Sequence, residues 1–269
     1  MFLRKLFFII MLITIPFYAQ AEGLKVIAGT SLIEDIVKDL SGGNAEIITI
    51  IPGSSCPGHE GSKTTDFVFA AKADLLIIHP FQQNMPQVKG LIDSVKNENL
   101  RLELISPSGS WLIPEVQIRA TNDILAVLSK LRPEEAVFFN ERAGRRIVAI
   151  EKAGAESLAK LSEAKGTGLV VSSMLSEFIS WAGFEVVESY GRAEEMTPKD
   201  VARIIDRIKG KVHGVADNYQ SGADVGLPFA YELKIPQVVL SNFPGSTDKD
   251  TDYVSLLRYN TDQLMKLVK

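Results

Sequence analysis

The chain has 269 residues, a formal charge of -4, three histidines and one cysteine. No basic stripe runs along it, which excludes nucleic acid as a partner. A single cysteine excludes an internal disulfide framework.

The first residues read as an export signal. Arg4 and Lys5 precede an apolar run from Leu6 to Tyr18, and Ala19-Gln20-Ala21 is a small-x-small cleavage site. The run is too short for a bilayer-spanning helix of about 20 apolar residues. No cysteine stands at the cleavage point, so the expectation is a secreted periplasmic chain, signal 1–21, that is not a lipoprotein. What remains is enough for one large domain or two lobes of roughly 100 residues each.

In chain order, Leu24 to Ala28 reads as a strand, and Leu32 to Leu40 as a helix with Leu32, Ile33, Ile36, Val37 and Leu40 on one face. Glu46 to Ile51 is a β-branched strand that stops at Pro52-Gly53. Phe67 to Lys72 is helical, Asp74 to Ile78 a strand, Met85 to Asn97 a helix and Leu100 to Ile105 a strand. This β-α alternation predicts a parallel sheet with right-handed crossovers. Pro114 opens a helix to about Leu131, and Pro133-Glu134-Glu135 opens another that runs without proline to about Ala164. Some thirty residues would span ~45 Å, a strut between two lobes, which Gly144 and Gly154 weaken locally. A second β-α alternation begins at Gly166 and closes with an amphipathic helix from Asp252 to Val268. The expected division is 1–21 signal, 22–113 first α/β lobe, 114–165 helical segment with the interlobe helix, and 166–269 second α/β lobe.

The residues with chemistry cluster after strand ends, the edge at which open α/β sheets bind ligands. Cys56-Pro57-Gly58-His59 places a thiol and an imidazole in one irregular loop. Both are donors that borderline-soft metals choose. His79 follows the Asp74 to Ile78 strand, and Asp217 ends a strand in the second half. Either can supply a third donor. His79 also reads as a hydrogen-bonded strand-end residue, and Asp217 as a helix cap. Trp111 follows Pro107-Ser108-Gly109-Ser110, small residues that leave room beside it.

Taken together, KVIAGTSLIEDIVKDLSGGNAEI from Lys25, KADLLI from Lys72, Trp111 with Pro114, PEEAVFFNERA from Pro133 and DYVSLLRYN from Asp252 resemble the cluster A-I solute-binding proteins of zinc and manganese ABC importers. The resemblance implies an α/β fold of two parallel-sheet lobes joined by a long rigid helix, a ligand cleft between the lobes, and no catalysis. The family's metal ligands are replaced here. Cys56-Pro57 falls on its Asp-Pro, Gly58 on its first histidine with His59 one place late, and Gly109 and Ser110 on its second. Ser172 falls on its third ligand, and its carboxylate falls near Asn242.

The expected function is therefore capture of a transition-metal ion, Zn2+ foremost or another thiophilic metal, through Cys56, His59 and Asp217. His79, Trp111, Ser172 and Asn242 are expected at the cleft. The expected partner is an ABC permease in the inner membrane, and the expected state a monomer. The neutral replacements also fit a metal chelate or small organic ligand, since they exchange charge for room and hydrogen bonds. A thiol- or metal-dependent hydrolase built on Cys56 and His59 is a remote alternative.

Overall fold

The computed structural model describes residues 23–55 and 63–268. The expected signal segment, Cys56 and His59 lie outside them. Among the described residues, no helix is long and apolar enough to cross a membrane.

The first lobe alternates β1 (Lys25–Thr30), α1 (Ser31–Leu40), β2 (Glu46–Ile51), α2 (Thr64–Ala70), β3 (Leu75–Ile78), α3 (Pro86–Ser94) and β4 (Arg101–Leu104). Its four strands are parallel in the order β2-β1-β3-β4. The Leu-Leu-Ile-Ile run of β3 is buried throughout, as an interior parallel strand covered on both faces requires. The second lobe contains β5 (Gly168–Ser172), α6 (Ser176–Trp181), β6 (Glu185–Tyr190), α7 (Pro198–Ile208), β7 (Gly214–Asn218), α8 (Leu227–Leu233) and β8 (Gln237–Leu240). Its sheet is also parallel, in the order β6-β5-β7-β8. Each sheet reverses its strand order at the centre, which creates a crevice beyond the carboxyl ends of its strands.

Between the lobes lie α4 (Pro114–Leu131) and α5 (Ala136–Lys160), and α9 (Tyr253–Met265) closes the chain. Local chemistry sets these helix starts. Proline occupies the first position of α4 and α7, where its missing N–H costs nothing. The Thr197 hydroxyl accepts from the Asp200 N–H, and the Asp252 carboxylate accepts from the Ser255 N–H. Gly154 has a packing role as well as low helix propensity, because a Cβ there would come within 2.9 Å of Pro114 Cγ. It lets α4 and α5 lie close together.

One apolar core crosses the junction. Leu32 and Ile51 of the first lobe join Leu112, Ile150, Tyr253 and Leu257 in a single buried cluster. A charged set fastens the same seam. Buried Arg146 on α5 donates to Asp35 at 2.7 Å and to Asp39 at 3.1 Å on α1, while Asp35 accepts from the Tyr253 N–H at the start of α9. Burial alone would lower the Arg146 pKa, but the two carboxylates outweigh it and hold the guanidinium charged. The Tyr253 hydroxyl donates to the Leu112 carbonyl at 2.9 Å. The long helix is thus fixed to both lobes by packing and by polar pairs, as a rigid strut should be.

Candidate binding cleft

A cleft of about 660 Å³ opens where the carboxyl ends of the two sheets meet. His79 stands at its base, directly after β3. Only 6% of this residue is exposed, and Nε2 lies 2.9 Å from Thr30 Oγ1. Burial lowers its pKa to about 4, so the ring is neutral at physiological pH. Its backbone N–H donates to Gln82 Oε1, and Gln82 Nε2 donates to the Gly29 carbonyl. These bonds lock the turn after β3 to β1. Phe81 stacks on the imidazole at 5.3 Å between centroids, and Trp111 meets it edge-on at 4.3 Å. The three rings form one aromatic wall of the cleft.

The second lobe supplies most of the polar groups. Gln220 accepts from the Asn242 N–H at 2.9 Å and donates to the Gly53 carbonyl and Ser241 Oγ, both at 2.8 Å. Its bond to Gly53 joins the lobes at the loop after β2. The approach there is so close that a Cβ on Gly53 would come within 1.9 Å of the Pro244 oxygen. Asn242 lines the cleft, and its Oδ1 is buried without a hydrogen-bond partner among the described residues. At the mouth, the Ser110 N–H of the first lobe donates to Glu177 on α6 at 2.5 Å. Arg192, in the loop after β6, is the charged residue of the described lining.

The structure brings His79, Trp111 and Asn242 together at the cleft, along with Gly109 and Ser110. Two other named residues are placed elsewhere. Asp217 is fully buried beside β6 and α8, with its carboxylate accepting from Tyr190 Oη at 2.6 Å, from the Gly226 N–H at 2.8 Å and from Gln237 Nε2. Burial raises its pKa, and these hydrogen bonds oppose the rise. Alternation along β7 sends its neighbour Asn218 to the cleft instead. Ser172 is buried at the end of β5 and does not line the cleft, whereas Met174 does. Among the described residues, no three His, Cys, Asp or Glu side chains form a group able to hold a metal ion.

Two sheets facing one cleft across a fixed helix define a two-lobe solute-binding architecture. The family profile for the periplasmic zinc-uptake complex component A, ZnuA, matches residues 26–267, and the chain belongs to that family. Solved structures of similar shape include a cadmium-bound periplasmic metal-binding protein from Candidatus Liberibacter asiaticus, 15% identical with a TM-score of 0.79 over 91% of this chain and 100% of that one. The laminin-binding adhesin Lmb of Streptococcus agalactiae, in a mutant form, is 17% identical with a TM-score of 0.76 over 92% and 100% of the two chains. The solute-binding protein FpvC of P. aeruginosa, in complex with Ni2+, is 17% identical with a TM-score of 0.76 over 91% and 97%. At such identities these likenesses establish the fold alone. Comparison with proteins of curated function gives no match.

Proposed function

We propose that this chain is the periplasmic solute-binding component of an ABC importer. In this reading it captures a transition-metal ion, zinc foremost, between its lobes and delivers it, as a monomer, to an inner-membrane permease. The observation that carries the proposal is the family match across both lobes, 26–267, in a chain whose lobes enclose a cleft. Cadmium and Ni2+ in structures of the same fold support the metal reading.

Cys56 and His59 are the proposed donors, and the neutral imidazole of His79 stands at the cleft base with Nε2 hydrogen-bonded to Thr30 Oγ1. A ligand role for Asp217 would require its carboxylate to leave the three donors it now accepts from. Two or three soft donors favour a thiophilic ion over manganese. No catalytic step belongs to this reading.

The test is equilibrium metal binding by the reduced mature protein, alongside Cys56→Ser and His59→Ala. One equivalent of tightly bound zinc, weakened in both variants, is expected. Absence of tight metal binding, with both variants indistinguishable from the parent, defeats the proposal.

A further inference from the structure

Building on the solute-binding reading, we propose that the cleft receives its metal as a preformed complex with an organic anion that carries a flat, unsaturated portion, and not as a bare ion. The first argument is size. A cavity of about 660 Å³ is some twenty times the ~30 Å³ share of one water in the liquid, and it falls in the range of roughly 300–1,000 Å³ typical of small-molecule sites. A bare ion would leave most of it to solvent.

Charge gives the second argument. The described lining contains no carboxylate, and its charge comes from Arg192. Beyond the His79 imidazole, the described lining offers an entering divalent cation serine and amide dipoles beside a positive guanidinium, a poor replacement for its hydration shell. An anion gains from the same group. Glu195 accepts from the Arg192 backbone N–H at 3.0 Å. Glu177, at the mouth, accepts from the Ser110 N–H. Neither carboxylate lines the cleft, so among the described lining residues the charge is that of the Arg192 guanidinium.

The walls give the third argument. Trp111 and Phe81 flank the neutral His79 ring and present aromatic surface to the cavity. Met85 and Met174 line it with flexible thioethers that adapt to an irregular apolar body. Asn242, whose Oδ1 is buried without a partner among the described residues, also lines the cavity. A bare ion has no use for this apolar surface, whereas the organic part of a chelate packs against it.

The test is titration calorimetry of the reduced mature protein with four probes: zinc chloride, zinc bis-dipicolinate, dipicolinate alone and zinc-EDTA. The dipicolinate complex is anionic and aromatic, and the EDTA complex is anionic without an aromatic face. The expected result is that zinc bis-dipicolinate binds at least about tenfold tighter than any other probe. Arg192→Ala and Phe81→Ala should each weaken that complex by about tenfold, with Arg192→Lys recovering part of the first loss. Phe81 is 57% exposed, so its loss spares the core. Zinc chloride binding as tightly as the complex, in the parent and in Arg192→Ala alike, overturns this proposal and leaves metal capture standing. Equal binding of dipicolinate with and without zinc overturns the requirement for metal in the ligand. No binding of zinc in any form by the folded protein overturns both readings.

Discussion

Gln220 Nε2 in the second lobe lies 2.8 Å from the carbonyl oxygen of Gly53 in the first. The same side chain accepts from the Asn242 N–H, so one amide fixes both the loop after β2 and the cleft residue whose own oxygen lacks a partner among the described residues. Replacing Gln220 by Leu leaves a buried carbonyl and a buried N–H unsatisfied. The expected loss is about 1–3 kcal/mol in urea-induced unfolding. A Gln220→Leu protein as stable as the parent would show that the lobes do not depend on this link.

Arg146 makes the stronger junction. Arg146→Met removes the cation from two carboxylates and leaves Asp35 buried, where desolvation already raises its pKa. A loss of about 3–5 kcal/mol follows, much of it recovered when Asp35→Asn is added. A double-mutant cycle by denaturant unfolding measures the recovery. Strictly additive losses would contradict the pairing.

Gly154→Val tests the close approach of α4 and α5. The added atoms meet Pro114 and force the helices apart, at an expected cost of about 1–3 kcal/mol despite the better helix propensity of valine. A thermal unfolding midpoint equal to or above that of the parent would show that the contact is slack.

His79 gives the protein an acid-sensitive element. Its pKa lies near 6.5 unfolded and about 4 folded, so above about pH 6.5 both states are neutral and the fold keeps its full stability. As pH falls below that value the unfolded state takes up a proton that the folded state refuses. Stability then drops until the folded pKa is passed, by about 3 kcal/mol in total. Unfolding free energies at about pH 7.5 and pH 4.5 should differ less in His79→Gln than in the parent. An identical difference in the two proteins would exclude His79 as the cause.

Much of the fold is legible in the sequence because apolar spacing and punctuation agree. The run Glu46–Ile51 forms the expected strand, Pro114–Leu131 the expected helix, and the proline-free stretch after Pro133 the expected strut. The cleft is harder to read because facing depends on one-residue differences that composition does not record. Charge at a strand end singles out Asp217, yet the pleat of β7 turns it away from the cleft and puts the equally buried Asn218 on the cleft side. Ser172 is the last residue of β5, and the helical turn that follows carries Met174 to the cleft. Arg192 lies in a loop after β6 with no periodicity around it, and Gln220 in a short turn after β7, so neither carries a sequence signal beyond nearness to a strand end.

Native mass spectrometry of the untagged mature protein, isolated from the periplasm under reducing conditions with elemental detection of the bound metal, tests the central claim most directly. The account predicts one equivalent of a transition metal, released by Cys56→Ser, with a mass excess larger than the metal alone because an organic anion accompanies it. A protein at its bare chain mass, which takes up no metal when challenged with zinc or its chelates, would contradict it.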